Sequence, residues 1–310
     1  MSTLVLLGPQ TVSVDAGRAL RDLGVTRDVA LITAGWQERE GEDEDLVARL
    51  GVSARNLRLH KRSEEVFSED AELTAAYKSR QERLRHMQDF YRIRLDHADD
   101  AAEAIAVRHV EPELLAQEWK VSVEVLKQLD DDHLTRCRRV HGEFDAAWEP
   151  WARPSVARHR AELQAILAQC GALVIAGGHV ASLLNRMRLF GVMDLAAALP
   201  VVAWSAGAMV LTDRVVLFHD HPPYGKNIAQ VLDVGFAWAP GLVVLPDPRR
   251  RIKLDDQGGI ARFAQRMAPA TCVALDHGAS LTLEGGCVKR AAADRLTPDG
   301  TVELDWNGWA

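Results

Sequence analysis

A serine set among very small residues is the strongest chemical signal in the sequence. Ser205 follows the apolar run Val201–Trp204 and precedes Ala206 and Gly207, where a helical pattern begins. A tight turn from a buried strand into a helix exposes a serine Oγ at the sheet edge and demands small neighbours. Such turns usually read G-x-S-x-G, and Ala203 stands here at the first position. The spacing predicts a nucleophilic serine, and the alternative is a serine that only caps the helix.

A pair of glycines ends the apolar run that precedes this one. Gly177 and Gly178 follow Leu173–Ala176 and are themselves followed by His179, which we count with them as a candidate oxyanion or substrate-binding residue. Glycines allow the backbone to approach a ligand closely and to turn its N–H groups toward it. Because parallel strands bring their carboxyl ends to one edge of a sheet, we expect the pair to complete an oxyanion hole beside Ser205. The alternative is an ordinary turn into a helix.

Together these two segments resemble peptidase S51, the family of aspartyl dipeptidase and cyanophycinase, within the class I glutamine amidotransferase-like fold. The resemblance rests on IAGGHVASLL and VVAWSAGAM within Leu173–Met209. The early DVALITAGWQ and the late VALDHGASLTL add weaker support. The resemblance covers about Thr3–Leu59 and Ala172–Gly286, and the helical block between them lies outside it.

The resemblance implies roles for individual residues. It makes Ser205 the nucleophile, Gly178 and the N–H of Ala206 the oxyanion donors, and Asp220 the acidic member of a triad. The family supplies its general-base histidine shortly after the strand that corresponds to Leu242–Leu245. In this sequence that position reads DPRRRIK and contains no histidine. A serine hydroxyl without a base is a poor nucleophile at neutral pH, so a base must come from elsewhere.

Three other histidines are candidates for that base. His219 and His221 flank Asp220, and His277 follows Asp276. Triads are recognised by arrangement rather than by chain order, so any of them could serve, although each could equally be an exposed loop residue. An H-x-H pair without a third ligand is a weak metal pattern, so we expect no metal. We also expect no cofactor, because the sequence lacks a P-loop and a G-x-G-x-x-G fingerprint.

A basic run follows the strand from which the histidine is missing. Arg249 and Arg251 lie in this run, close to Lys253. The resemblance puts the run at the mouth of the site, where its guanidinium groups would hold a carboxylate or phosphate of an anionic substrate. The alternative is a solvated basic loop.

The elements that must position these residues alternate between strands and helices on either side of a long helical block. Continuous apolar runs predict strands that are covered on both faces, and single helices between them predict a parallel sheet. The predicted strands are Thr3–Leu7, Asp28–Thr33, Asn56–Leu59, Leu173–Ala176, Val201–Trp204, Val215–Phe218, Leu242–Leu245, Cys272–Leu275 and Ser280–Leu283. The predicted helices are Val14–Leu23, Asp43–Leu50, Ala71–Ile93, Pro112–Leu129, Asp132–Trp148, Val180–Phe190 and Ile260–Met267. The pattern predicts a three-layer α/β domain with a mostly parallel, doubly wound sheet from residues 1–62 and 170–310, with 63–169 as a helical insertion.

Composition limits the remaining function classes. The 310 residues are 47% hydrophobic and 26% charged, which suits a globular chain with a sizeable core. A formal charge of −7 argues against nucleic-acid binding. The uncharged stretch Leu195–Thr212 contains Pro200 and many small residues, so we interpret it as a strand, a turn and a helix rather than a membrane span. The four cysteines form no C-x-x-C pair, and with no signal-peptide pattern at the start we expect a cytoplasmic protein with reduced thiols.

The sequence therefore predicts a serine-nucleophile hydrolase of peptidase S51 type with a relocated or degenerate base. Its substrate would be a small peptide or amide, and an anionic one if the basic run lies at the site. The alternative is a catalytically inactive relative that binds or assembles, for example as a homo-oligomer, through its helical insertion. A third hypothesis is an acyl or amide transfer enzyme that reuses the same fold.

Overall fold

The structure is a computed structural model that describes residues 3–10, 15–218, 228–304 and 306. The strands of this part of the chain are β1 (Leu4–Leu7), β2 (Val29–Ile32), β3 (Ala54–Asn56), β4 (Ala172–Ile175), β5 (Val201–Trp204), β6 (Arg214–Leu217), β7 (Gln230–Val234), β8 (Leu242–Pro246), β9 (Thr271–Leu275), β10 (Ser280–Glu284), β11 (Cys287–Ala292), β12 (Asp294–Leu296) and β13 (Val302–Glu303). Its α-helices are α1 (Asp15–Asp22), α2 (Glu44–Leu50), α3 (Leu59–Glu69), α4 (Ala71–Ala106), α5 (Pro112–Trp148), α6 (Pro154–Gln169), α7 (Val180–Phe190), α8 (Val192–Leu195), α9 (Ala206–Met209) and α10 (Gln257–Met267).

A seven-stranded sheet in the order β11-β10-β1-β5-β4-β2-β3 forms the centre of the fold. The five neighbouring strands β1, β5, β4, β2 and β3 run parallel to one another, and β10 and β11 add an antiparallel edge. Because successive side chains of a strand point to opposite faces, each inner strand contributes to two hydrophobic clusters. Leu4 and Leu6 enter one cluster, whereas Val5 and Leu7 enter the other together with Leu20 of α1. The protein is therefore a mixed α/β structure with a mostly parallel central sheet and helices on both faces.

The predicted sheet is correct in its parallel centre and wrong for the later strands. β6 pairs with β7 as an antiparallel hairpin, and β8, β9, β12 and β13 form a separate four-stranded sheet. An apolar run predicts burial but carries no information on which partner strand it will meet, so these strands were assigned to the wrong sheet. The predicted strand Asn56–Leu59 is also wrong beyond its first residue, since Leu59 begins α3 and its burial comes from a helix face.

Four helices, α3 to α6, connect β3 to β4 without an intervening strand, in a stretch that the structure describes completely. The two longest, α4 with 36 residues and α5 with 37, pack side by side as an antiparallel pair. The predicted break in α5 between Leu129 and Asp132 is absent. Asp130 is buried there because it pairs with Arg266 of α10, at 2.6 Å and 2.8 Å, and accepts a hydrogen bond from the Tyr91 hydroxyl at 2.6 Å.

One hydrophobic cluster is continuous between these helices and the sheet. It contains Leu95 and Leu126 of the α4–α5 pair as well as Ile32 and Leu173 of the sheet. The division into an α/β domain and a helical insertion stays a prediction. Within the described part of the chain, none of the helices combines the length and the apolar character that a membrane crossing requires.

Candidate active site

Ser205 occupies the turn between β5 and α9 in a backbone conformation that side chains rarely adopt. Its φ is +52° and its ψ is −124°, and such a conformation costs on the order of 1–3 kcal/mol unless the surroundings impose it. The carbonyl of Ser205 accepts hydrogen bonds from the N–H groups of Ala208 and Met209, each at 3.0 Å. A Cβ atom on Gly207 would lie 2.4 Å from the Ile175 carbonyl oxygen, so only glycine fits where α9 crosses the end of β4.

The glycine pair lies against this turn. A Cβ atom on Gly177 would lie 2.8 Å from the Cβ of Ser205. Gly178 has a φ of +129°, and a Cβ atom there would lie 2.6 Å from the carbonyl carbon of Gly35. Ser205 therefore excludes a side chain at the first glycine, and the 3-10 helix Ala34–Arg39 after β2 excludes one at the second.

Two backbone N–H groups beside Ser205 remain available to a ligand. Within residues 3–10, 15–218, 228–304 and 306, the N–H groups of Gly178 and Ala206 donate no hydrogen bond, whereas the N–H of His179 donates to the Gly35 carbonyl at 2.7 Å. Free N–H groups that border a nucleophile can stabilise the negative charge that develops on a carbonyl oxygen. The arrangement therefore places a serine hydroxyl beside two candidate oxyanion donors, the groups that an acyl-transfer site would need.

A cavity of about 980 Å³ opens where the parallel strands end, and Ser205 is part of its lining. The predicted site residues that line it are Ser205, Gly177, Gly178, His179, Ala206, Arg251 and His277. Arg249 is not among them, because its guanidinium pairs with Asp276 at 2.9 Å and with Asp294 at 3.5 Å. His219, Asp220 and His221 lie outside the described residues.

The two histidines of the cavity differ in what their rings can do. His179 caps α7: its Nδ1 accepts a hydrogen bond from the Ser182 N–H at 3.2 Å and lies 3.0 Å from the Ser182 Oγ. A ring nitrogen that accepts from a backbone N–H carries no proton, so the proton of neutral His179 is on Nε2 and that nitrogen cannot act as a base. His277 is exposed in the turn after β9. Neither ring hydrogen-bonds to the Ser205 hydroxyl in the described structure.

Several lining residues were not predicted from the sequence. Trp36 follows β2, and Asp247 follows β8 with a φ of +53°. Asp247 pairs with Arg250 at 3.7 Å, while the guanidinium of Arg251 lies 5.7 Å from the ring centre of Phe218. The run DPRRR at residues 247–251 was predicted to bind substrate through its arginines, and nothing in the local sequence indicated that Asp247 would line the cavity. A residue with a positive φ at a strand end becomes evident only in the structure.

The fold and the site define a mixed α/β protein with a serine at a strand–helix turn, facing a cavity beyond the ends of parallel strands. No protein-family model matches the sequence, and no curated protein is significantly similar to it. Among solved structures, it is similar to a peptidase from an acI-B1 Actinobacterium, with 12% identity, 96% of this chain and 91% of that chain covered, and a TM-score of 0.47. It is also similar to a candidate peptidase E from Listeria monocytogenes EGD-e, with 12% identity, 96% and 100% covered, and a TM-score of 0.45. Similarity at this level carries no argument about activity, which must come from the geometry of the site.

Proposed function

We propose that the protein is a peptidase-type hydrolase of the S51 kind that cleaves a small peptide or amide with Ser205 as its nucleophile. The observation that carries the proposal is the strained backbone of Ser205, with a φ of +52°, at the edge of a large cavity. Strain of this kind persists where the surroundings impose it, and it clusters at functional sites. The Gly177 and Gly207 positions, where no side chain fits, are part of those surroundings.

The reaction would proceed through an acyl-enzyme. The Ser205 Oγ attacks the carbonyl carbon, and the negative charge on the carbonyl oxygen is stabilised by the N–H groups of Gly178 and Ala206. A base accepts the hydroxyl proton and transfers it to the leaving amine, after which water releases the acyl group. His277 is the candidate base that the structure describes in the cavity. His219 and His221, with Asp220 between them, are the other candidates.

The part of the cavity around Arg251 favours a substrate with a carboxylate beside an apolar group, while the carboxylates of the lining are those of Glu42, Asp45 and Asp247. Arg251 supplies a half-buried cation, and Phe218 and Leu232 supply apolar wall. A guanidinium group binds a carboxylate through two parallel N–H donors. An acidic or C-terminal residue of a short peptide would meet this requirement.

Covalent labelling of the full-length chain tests the proposal. A fluorophosphonate reagent forms an adduct with an activated serine, and we expect an adduct on Ser205 that Ser205→Ala abolishes. Ser182→Ala is the matched control, because Ser182 is a second hydroxyl close to a cavity histidine, 3.0 Å from His179 Nδ1. An unlabelled wild-type protein, or labelling that follows Ser182 rather than Ser205, would remove the nucleophile assignment. Loss of labelling in one of His219→Ala, His221→Ala and His277→Ala would identify the base.

The second candidate is a catalytically inactive protein that binds or assembles through its helices. It is favoured by the absence of a hydrogen bond between Ser205 Oγ and any described histidine. It is also favoured by apolar side chains exposed on α4 and α5, such as Phe90 at 57% and Val121 at 59%. It predicts that Ser205→Ala leaves binding and assembly unchanged, while Val121→Glu alters the elution volume in size-exclusion chromatography. Labelling of Ser205 together with unchanged elution of Val121→Glu would exclude it.

A further inference from the structure

A groove runs between α4 and α5, on a surface separate from the cavity that contains Ser205. It consists of two neighbouring cavities of about 520 Å³ and 460 Å³, and Arg136 and Arg139 of α5 line both. Arg83 and His86 of α4 line the first cavity, and Arg94 lines the second. Five basic side chains from two helices therefore face one groove.

Most of this positive charge is not neutralised by the protein. In the described part of the chain, Arg83 pairs with Glu143 at 2.7 Å, but Arg94, Arg136 and Arg139 make no ion pair. Three guanidinium groups around one cavity repel one another and focus a positive potential there. Among the described lining residues each cavity has one carboxylate, Glu82 in the first and Asp132 in the second, which leaves an excess of positive charge. The groove therefore favours an anion.

A buried histidine at the second cavity adds a more specific requirement. His133 is 3% exposed, and its ring stacks on Tyr91 with the ring centres 4.3 Å apart. Its Nε2 lies 3.4 Å from the Leu232 carbonyl oxygen and 3.6 Å from the Cys137 Sγ. Because the carbonyl can only accept and a thiol is a weak donor, we assign the proton of the neutral ring to Nε2 and the lone pair to Nδ1. That Nδ1 is buried and has no hydrogen-bond partner in the described structure. Burial lowers the pKa of His133, which keeps the ring neutral and Nδ1 an acceptor.

The ring is also held in place. The Tyr91 ring on which His133 stacks is fixed through its hydroxyl group. That hydroxyl donates a hydrogen bond to Asp130 at 2.6 Å and accepts one from Arg266 at 3.0 Å. Because both of those charged groups are buried, Tyr91 cannot turn away without breaking their contacts. His133 therefore holds a fixed acceptor at the second cavity that no group in the described part of the chain satisfies.

We propose that this groove is a phosphate-binding site, which takes inorganic phosphate or the phosphate group of a small phosphomonoester. The anionic oxygens would contact Arg94, Arg136 and Arg139, and a P–OH group would donate to His133 Nδ1. Inorganic phosphate suits this combination because it carries charge and a P–OH donor together at neutral pH, whereas sulfate carries charge alone. A phosphomonoester, whose second pKa is about 6, would bind as its monoanion, which keeps one P–OH group. The site is independent of the proposed hydrolase activity.

Calorimetric titration of the full-length protein with inorganic phosphate and with sulfate, in a Tris buffer of constant ionic strength, tests the proposal. We expect saturable phosphate binding and roughly tenfold weaker sulfate binding, since a lost hydrogen bond to a charged group costs about a factor of ten. Arg136→Ala and Arg139→Ala should each weaken phosphate binding by about the same factor. Arg138→Ala is the matched control, because it removes the same charge from the same helix at an exposed position that lines neither cavity. Glycerol 3-phosphate, titrated beside inorganic phosphate, shows which of the two sources binds more tightly.

Further variants distinguish a phosphate site in the groove from general attraction to basic side chains and from binding in the Ser205 cavity. His133→Phe keeps the aromatic stack on Tyr91 but removes Nδ1, so it should bind phosphate only as weakly as sulfate. Arg251→Ala and Ser205→Ala, in the other cavity, should leave phosphate binding unchanged. Equal affinity of the wild-type protein for phosphate and sulfate would overturn the proposal. So would a loss of binding in Arg138→Ala or Arg251→Ala that matches the loss in Arg136→Ala. If His133→Phe does not fold, the comparison of phosphate with sulfate on the wild-type protein still distinguishes a phosphate site from general attraction to basic side chains.

Discussion

Replacing Gly177 by alanine should damage the reactivity of Ser205 far more than the stability of the fold. The new Cβ atom would lie 2.8 Å from the Cβ of Ser205, whereas carbon atoms in contact sit about 3.5–4.0 Å apart. One of the two chain segments must therefore move by roughly 1 Å. The Ser205 segment cannot move freely, because its carbonyl accepts two hydrogen bonds at 3.0 Å and its φ is +52°.

The size of both effects follows from this overlap. Inserting a methyl group into a well-packed site costs about 1–3 kcal/mol of unfolding free energy, which a domain of ordinary stability tolerates. A displacement of about 1 Å between a nucleophile and its supporting groups lowers a rate by about 100-fold. We therefore expect Gly177→Ala to remain folded and to react with a fluorophosphonate about 100-fold more slowly than wild type.

The rate of covalent labelling and a urea titration measure the two quantities on the same samples. Gly142→Ala in α5 is the matched control, because nothing lies within 4 Å of the Cβ atom that it adds. A glycine inside a helix is less favourable than alanine by roughly 0.5–1 kcal/mol, so this control should gain stability and label at the wild-type rate. Labelling of Gly177→Ala at the wild-type rate would refute the view that packing against Gly177 positions Ser205.

Three further outcomes are expected. Arg266→Met leaves the Asp130 carboxylate buried without its cation, so the unfolding free energy in a urea titration should fall by about 3–5 kcal/mol. The hydrogen bond from Arg153 lowers the pKa of Asp70 to about 2 from its ordinary 3.8, so Asp70→Asn should cost about 1 kcal/mol at neutral pH. Since the folded-state pKa is the lower one, that difference is complete above the unfolded value and is lost as the pH falls through about 2. Cys287 is exposed and the other three thiols are buried, so a disulfide reagent should modify one thiol rapidly in the native protein and four after denaturation.

Each of these outcomes has a result that contradicts it. Combining Arg266→Met with Asp130→Leu should recover much of the lost stability, and a single variant as stable as wild type would show that the buried pair is not coupled. A cost of Asp70→Asn that persists unchanged at pH 2 would contradict the lowered pKa. A second thiol that reacts as fast as Cys287 would show that burial does not protect the remaining three.

The predictable part of the fold is the part encoded in short stretches of chain. Strand Val201–Trp204 and helix Val180–Phe190 were predicted to the residue, because continuous apolarity and a 3.6-residue period are local patterns. Strand Cys287–Ala292 was missed because its residues are half-buried or exposed and form no apolar run. The sequence predicted two helices where the structure has the single helix α5. Asp130 can be buried inside α5 because Arg266 neutralises it, and no local pattern shows this since Arg266 lies 136 positions away in the chain.

The sequence by itself determined the residue types of the site and their local order. A serine between small residues, and two glycines after a neighbouring strand, permit tight backbone turns that bulkier residues would exclude, because steric exclusion acts between adjacent residues. Only the tertiary structure decided which groups meet there. It turned the Nδ1 of His179 toward Ser182 and tied Arg249 to Asp276. It also gathered Arg94 of α4 and Arg136 and Arg139 of α5 around His133 in a groove that no local pattern indicated. These contacts depend on strands that pair, and helices that pack, although they are distant in the chain. The native arrangement is selected by the free energy of the whole core, so no local stretch of sequence specifies it.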